Sequence, residues 1–492
     1  MSSSPKLKRR FERIRPLDQI EVAVVRAATE RPGWLSPSAL NALRYVLSLA
    51  RVEVVPLPDG EVDLGGAFDG LRDRVVESLG PWVLDASAGI EHDEVASAVP
   101  FLVDLAEKAR AAALTLYQGR LTAAHLDAEV CHKALIVVAG GGGGSGYVYG
   151  GAFKLLHEVG WSPSMIVGTS IGSLLGLFRA RHKDLALDPL LSLADRTDWR
   201  SVFMLPAVRN RYGVPATLRL YLRKTIAHLF QHPTEPRTLQ IGELPIPFRV
   251  VVAGLNSAGL TRDMSYYEHL ADAVVGDSGP TWSALRRTIG GVASALTELV
   301  ARPTVLKEIV LGGDDLTRQF DVVDAVGFST AVPGLIHYDI LRDDPHMHSL
   351  MDRLFARHGV ARLIDGGLVN NVPSRIAWEH VQRGDIGTRN AFVLAMDCFA
   401  PQLTRNVLMH PIQRLVRPQV ASNAPYAGLT KTFVHVLSPL DVVPDARKVD
   451  QALRAGYREM EGDRALLRAL QQPLRGLDGA WGDAGPPRIK SA

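Results

Sequence analysis

Cysteine is nearly absent. Cys131 and Cys398 are the only two in 492 residues, too few for a disulfide framework and in keeping with a reducing compartment. The chain also lacks any run of about 18 apolar residues, the minimum for a membrane-spanning helix, and its first residues lack the apolar core and small-residue cleavage site of a secretory signal. The expectation is a protein kept in the cytosol. Nor is there an excess of one charge. The 55 Lys and Arg against 52 Asp and Glu give a net +3, too near balance to point to a nucleic-acid partner. No internal repeat is visible.

What the sequence has is core-forming material. Hydrophobic residues make up 47% and charged residues 22%, the balance of a globular protein with a large buried interior. At roughly 150 residues per domain, the length allows about three domains, or one large domain with an appendage. The basic charge is local: Lys6, Lys8, Arg9, Arg10, Arg13 and Arg15 stand against Glu12 in the first fifteen residues, a net +5, so the other 477 residues sum to −2. Such a stretch reads as a frayed, solvated terminus, or as a patch drawn to an anionic membrane surface.

Residues 16–132 show helical apolar spacing in Ile20–Ala28, Leu40–Leu49 and Val95–Tyr117, broken at Arg31-Pro32-Gly33 and Pro58-Asp59-Gly60. From Lys133 the pattern changes. Ala134–Ala139 is a short apolar run ending at five glycines, Gly140–Gly144. Strand-like runs at 165–167, 248–253, 362–364, 391–396 and 433–437 then alternate with helical ones, among them Gly150–Val159 and Ile171–Arg181. Such alternation predicts an α/β fold with a mainly parallel sheet sandwiched by helices, preceded by an N-terminal helical region. Long helical stretches at 184–240 and 261–320 are material for a cap over a pocket. The expected division is an N-terminal helical region with a basic tail (1–132), a sheet domain (133–472) and a loose C-terminal tail (473–492).

Gly168-Thr169-Ser170-Ile171-Gly172 fits Gly-x-Ser-x-Gly between an apolar strand and an apolar helix. In that setting it reads as a nucleophile elbow, with the Ser170 hydroxyl exposed at a helix N-terminus. The glycine loop before it, Gly141 to Gly146, suits an oxyanion hole because glycines let backbone N–H groups approach a reacting atom closely. Gly141-x-Gly143-x-x-Gly146 also fits a dinucleotide fingerprint, but the next strand ends in Gly168-Thr169-Ser170 and not in the acid that fingerprint needs. Asp365-Gly366-Gly367 follows a short strand and places a carboxylate where α/β sheets carry their sites.

The order Gly-Gly-Gly-x-x-Gly, Gly-x-Ser-x-Gly, Asp-Gly-Gly resembles the patatin-like phospholipases, serine lipid acyl hydrolases with a Ser-Asp dyad. Phe328-Ser329-Thr330-Ala331-Val332-Pro333 and Asn370-Asn371-Val372-Pro373 resemble segments flanking that family's aspartate. The likeness covers about residues 133–470. It implies Ser170 as nucleophile, Asp365 as base, and the amides of Gly142, Gly143 and Gly144 as oxyanion donors. It also implies a lipid ester substrate met at a peripheral membrane surface, hydrolysis through an acyl-enzyme, and no cofactor or metal. The family usually has Arg or Lys just before the last glycine of the loop, where this chain has Ser145. The alternative is a catalytically silent lipid-binding or regulatory module of the same fold.

Other candidates are His435, as the third member of a triad or a satisfied core histidine, and His346-Met347-His348 with Asp343 and Asp344, as a metal site or a polar loop. Asn406–Arg417 mixes apolar and basic residues as a membrane contact would, with ordinary packing as its alternative. Tyr147 and Tyr149 read as packing residues or acyl-chain contacts.

Overall fold

The computed structural model describes residues 4–85, 89–204, 211–214, 216–256, 305–400 and 410–477. The first layer is mostly helical. Helix α1 (Pro5–Glu30) starts at the Ser4 cap with Pro5 in its first turn, and α2 (Pro37–Arg51) repeats the device with Ser36 and Pro37. A hairpin that the helical reading did not foresee follows, β1 (Val54–Leu57) and β2 (Gly60–Asp63), turning at Pro58-Asp59-Gly60. Helices α3 (Asp69–Val83), α4 (His92–Leu116) and α5 (Ala123–Cys131) complete the layer. Their inward stripes, with Leu17, Ile20, Leu43, Leu79 and Leu102 among them, bury a core separate from that of the sheet.

The basic start of the chain is not frayed over its described length. From Pro5 it is the first half of α1, and Arg10 is buried there, pairing with Glu53 and donating to the Gln382 carbonyl at 3.2 Å. Arg13 pairs with Asp69, and Phe11 stacks on Tyr426 with ring centroids 3.9 Å apart. Lys6, Lys8 and Arg9 remain exposed. Deeper in α1, the buried Glu21 carboxylate meets Arg44 at 3.2 Å, Arg51 at 2.6 Å and Lys133 at 2.7 Å. Burial alone would raise its pKa, but these cations outweigh that and hold the carboxyl well below its ordinary range. Lys133 directly precedes the sheet, so this cluster ties the first layer to it.

The second part begins with β3 (Ala134–Ala139), α6 (Val148–Val159), β4 (Pro163–Thr169) and α7 (Ile171–Ala180). It continues through β5 (Phe203–Met204), β6 (Ala216–Leu220), β7 (Phe248–Leu255), β8 (Leu306–Leu311), β9 (Gly334–His337), β10 (Arg362–Asp365), β11 (Ala391–Asp397) and β12 (Leu429–Thr432). Seven strands form the main sheet in the order β10-β7-β4-β3-β11-β12, with β8 also on β7. Pairs β7–β4, β4–β3, β3–β11 and β11–β12 are parallel, while β8 and β10 run antiparallel to β7. Alternate residues of β3 enter different cores, Leu135 and Val137 on one face, Ile136 and Val138 on the other. Covering on both faces explains why this strand is apolar throughout.

This is the expected α/β architecture with its N-terminal helical region. One strand is displaced from expectation: pairing stops at Thr432, and 433–437 is irregular. The cap stretch 184–240 contains helix Asp188–Arg196 and strands β5 and β6, which β9 completes into a small sheet, whereas most of 261–320 lies outside the described residues. The stretch expected to be loose from 473 is packed as far as Leu477. Leu474 and Leu477 are buried in the first layer, and the Leu474 amide donates to Cys131 at 2.9 Å. Residues 478–492 lie outside the described residues.

Candidate active site

The register of β7 brings two distant motifs together. Strand β4 pairs with the first half of β7, ending at Thr169 opposite Val251; β10 pairs with the second half, ending at Asp365 opposite Val252. Since β8 spans both halves, it must occupy the other edge of β7, so β4 and β10 share an edge. They run towards each other, and their C-terminal ends meet. Ser170 leaves one end and Asp365 closes the other.

Ser170 has φ 52° and ψ −128°, the only positive φ of a non-glycine among the described residues. Such a conformation costs of the order of 1–3 kcal/mol and persists only when its surroundings enforce it. Here the Ser170 amide donates to Ser329 Oγ at 2.9 Å, and that hydroxyl donates to the Val251 carbonyl at 2.7 Å. The Ser170 carbonyl accepts from the Ser173 amide at 2.8 Å and the Ser173 hydroxyl at 2.6 Å. A side chain at Gly172 would lie 2.1 Å from the Ala139 carbonyl oxygen, so the elbow packs too tightly on β3 for any other residue.

Asp365 is buried, its amide donates to the Ala331 carbonyl at 2.8 Å, and its Oδ1 accepts from the Gly367 amide at 2.6 Å. Its carboxyl is pushed up to about 6 by burial, an effect that the nearby Ser170 side chain and the Gly367 amide only partly offset. At neutral pH this is a carboxylate with real basicity, lining the same cavity as Ser170.

The glycine loop passes beside Ser170. The Gly141 amide donates to the Asn371 carbonyl at 3.2 Å, and Asn371 Nδ2 donates back to the Gly141 carbonyl at 3.4 Å. The amides of Gly142 and Gly143 have no acceptor among the described residues, and both glycines line the same cavity as Ser170. Gly144 departs from expectation: its amide donates to the Pro439 carbonyl at 3.0 Å and is not free for an oxyanion. The segment 437–444 lies so close that a side chain at Gly143 (φ 56°) would come within 2.2 Å of the Pro439 oxygen. Ser145, buried, donates its hydroxyl to the Leu437 carbonyl at 3.0 Å, fastening loop to segment.

Ser170, Asp365, Gly142 and Gly143 open into one cavity of about 210 Å³. Its walls are chiefly aliphatic, with Leu190 and Leu193 from the cap, Leu335 and Ile336 from β9, and Leu440 and Val442 from the 437–444 segment.

The remaining sequence candidates fall elsewhere. His435 is neither a core histidine nor seen among the cavity's lining residues; its side chain is 69% exposed and bonds Glu459. His348 Nδ1 meets the Tyr212 hydroxyl at 2.9 Å and Asp344 caps the helix Pro345–His358; no cluster of three or more potential metal ligands occurs among the described residues. Of Asn406–Arg417, residues 406–409 lie outside the described residues; the rest starts the helix His410–Asn423, with Val416 buried against the cavity and Arg417 paired with Asp397. Tyr147 lines the cavity; Tyr149 is buried, its hydroxyl bonding the Gly140 and Met396 carbonyls.

Sequence reasoning missed the 437–444 segment, whose contribution is made by carbonyl groups and aliphatic side chains that carry no motif. It also missed the individual role of Ser329, although its segment stood out by resemblance. Among known proteins, the family model described as Patatin-like phospholipase matches residues 136–378. A search of curated proteins finds no match.

Proposed function

Because residues 136–378 belong to the patatin-like phospholipase family, whose members are in general lipid hydrolases, we propose that this chain is a serine lipid acyl hydrolase working through a Ser170–Asp365 dyad. Ser170 Oγ attacks the ester carbonyl carbon as its proton passes to Asp365. The carbonyl oxygen becomes an oxyanion that accepts from the Gly142 and Gly143 amides. Collapse of the tetrahedral intermediate breaks the ester C–O bond, and the leaving alcohol takes the proton from Asp365. Water then repeats the sequence on the acyl-enzyme, with Asp365 again accepting and returning a proton. Substrate is taken up by adsorption to a lipid surface.

The observation that carries this reading is the meeting of Ser170, on its strained elbow, with Asp365, a buried carboxyl of raised pKa, at the facing ends of β4 and β10, both lining one apolar cavity. Enzymes tune carboxylates towards neutrality in this way when they must act as bases. In a test on a soluble short-chain nitrophenyl ester, Ser170→Ala should lose turnover and fluorophosphonate labelling while keeping its unfolding transition. Turnover retained by the folded variant would sink the assignment; a folded wild type that neither labels nor turns over would favour the silent module.

A further inference from the structure

The cavity's charge pattern bears on which ester enters it. Its described lining holds one acidic side chain, Asp365, and no Lys, Arg or His. The neutral polar groups nearest the dyad are engaged: the Tyr147 hydroxyl donates to the Val442 carbonyl at 3.3 Å, and Asn371 Nδ2 to the Gly141 carbonyl. Ser145, at the turn of the glycine loop, has its hydroxyl on Leu437. Everything else around the reacting centre is glycine, threonine, proline or apolar side chain.

A phospholipid brings a phosphate within a few bonds of the ester that reacts. In this cavity that anion would leave water for an aliphatic wall, close to the carboxylate that must stay ionised to act. Burying an unpaired anion is costly, and a like charge nearby in a low dielectric adds to the cost. An ester whose alcohol part is uncharged meets neither penalty, and its alkyl carbons gain from the aliphatic walls.

From this we infer that the substrate class is an uncharged apolar carboxylic ester, such as an acylglycerol, in preference to a phospholipid. The inference rests on the acyl hydrolase reading of the same site. It is tested with dioctanoylglycerol, dioctanoylphosphatidylglycerol and dioctanoylphosphatidylcholine, each in micelles of the same neutral detergent, beside a soluble nitrophenyl ester. We expect kcat/KM for dioctanoylglycerol to exceed that for either phospholipid by at least about thirty-fold, equivalent to about 2 kcal/mol. A lysine in place of Leu440, which lines the cavity next to Pro439 and the glycine loop, should narrow the ratio for phosphatidylglycerol. Phospholipids cleaved as fast as the diacylglycerol, or a ratio unmoved by Leu440→Lys in a folded variant, would overturn the inference while leaving the hydrolase intact. No turnover of any ester, the nitrophenyl ester included, would remove the hydrolase reading and the inference with it.

Discussion

The buried carboxyl of Asp365 makes one pH-dependent quantity visible in two independent assays. Its pKa is pushed from 3.8 to about 6 by burial, a shift equivalent to about 3 kcal/mol at 1.36 kcal/mol per unit. A base must be ionised to accept the Ser170 proton, so kcat/KM for a soluble ester should rise about ten-fold per pH unit below 6 and level off above it. The stability effect has the opposite sense. Between pH 3.8 and 6 the folded state holds a proton that the unfolded state has lost, so stability falls as pH rises through this window. Above it, the wild type carries the full penalty of about 3 kcal/mol. Asp365→Asn cannot ionise and escapes that penalty. Urea unfolding of both proteins at pH 4 and pH 8 should therefore show the variant gaining about 2.4 kcal/mol on the wild type between the two pH values, since about 0.5 kcal/mol of the penalty is already present at pH 4, while its turnover drops by orders of magnitude. Other titrating groups cancel in this double difference. An acid limb centred near pH 4, or a stability difference independent of pH, would refute the argument that burial tunes this carboxyl.

Ser329→Ala removes the acceptor of the Ser170 amide and should lower kcat at least ten-fold with little change in KM; equal loss in both would mean general disruption. His435→Ala should keep turnover near wild type, because its side chain is exposed and bonded to Glu459; a loss matching that of Asp365→Asn in folded protein would restore the triad. Glu21→Gln leaves Arg44, Arg51 and Lys133 without their shared carboxylate and should cost about 3–5 kcal/mol in urea unfolding, whereas a change under about 1 kcal/mol would show the cluster to be loosely held. Replacing the exposed Lys6, Lys8 and Arg9 together by glutamate should weaken cosedimentation with anionic vesicles at 0.1 M salt and matter little at 1 M, where the Debye length falls from about 10 to about 3 Å; identical, salt-independent binding would rule these cations out as an anchor.

The strand, turn and helix around Ser170 were legible because each leaves a local mark: an apolar run for a strand covered on both faces, glycines where backbone crowds backbone, and an apolar helix behind. Asp365 was legible as a residue, but its partnership with Ser170 depends on which half of β7 each strand joins, and nothing local to either strand records that. Edge elements misled for the opposite reason. Strand β12, Leu429-Thr430-Lys431-Thr432, is half-buried at the sheet margin and needs no apolar run. The apolar 433–437 stretch next to it sends Phe433 into the core and leads on to the segment that covers the glycine loop, without strand pairing. Likewise the cations of α1 read as a solvated tail, because the burial of Arg10 is decided by Glu53 and Gln382, far away in the chain.

The head-to-head meeting of β4 and β10 on one edge of β7 also has a consequence for folding. Ser170 and Asp365 are 195 residues apart in the sequence, and the strands that carry them meet only through a third. Contacts between such distant segments require the closure of long loops and form late. During refolding, far-ultraviolet helix signal should return before Ser170 becomes reactive, since α6 and α7 are local while the nucleophile's environment awaits the docking of β7 and β10. Reactivity towards a fluorophosphonate is thus a reporter of the last long-range step in assembling the sheet, and a fraction of molecules with full helix content but no labelling would measure how many chains stall before it.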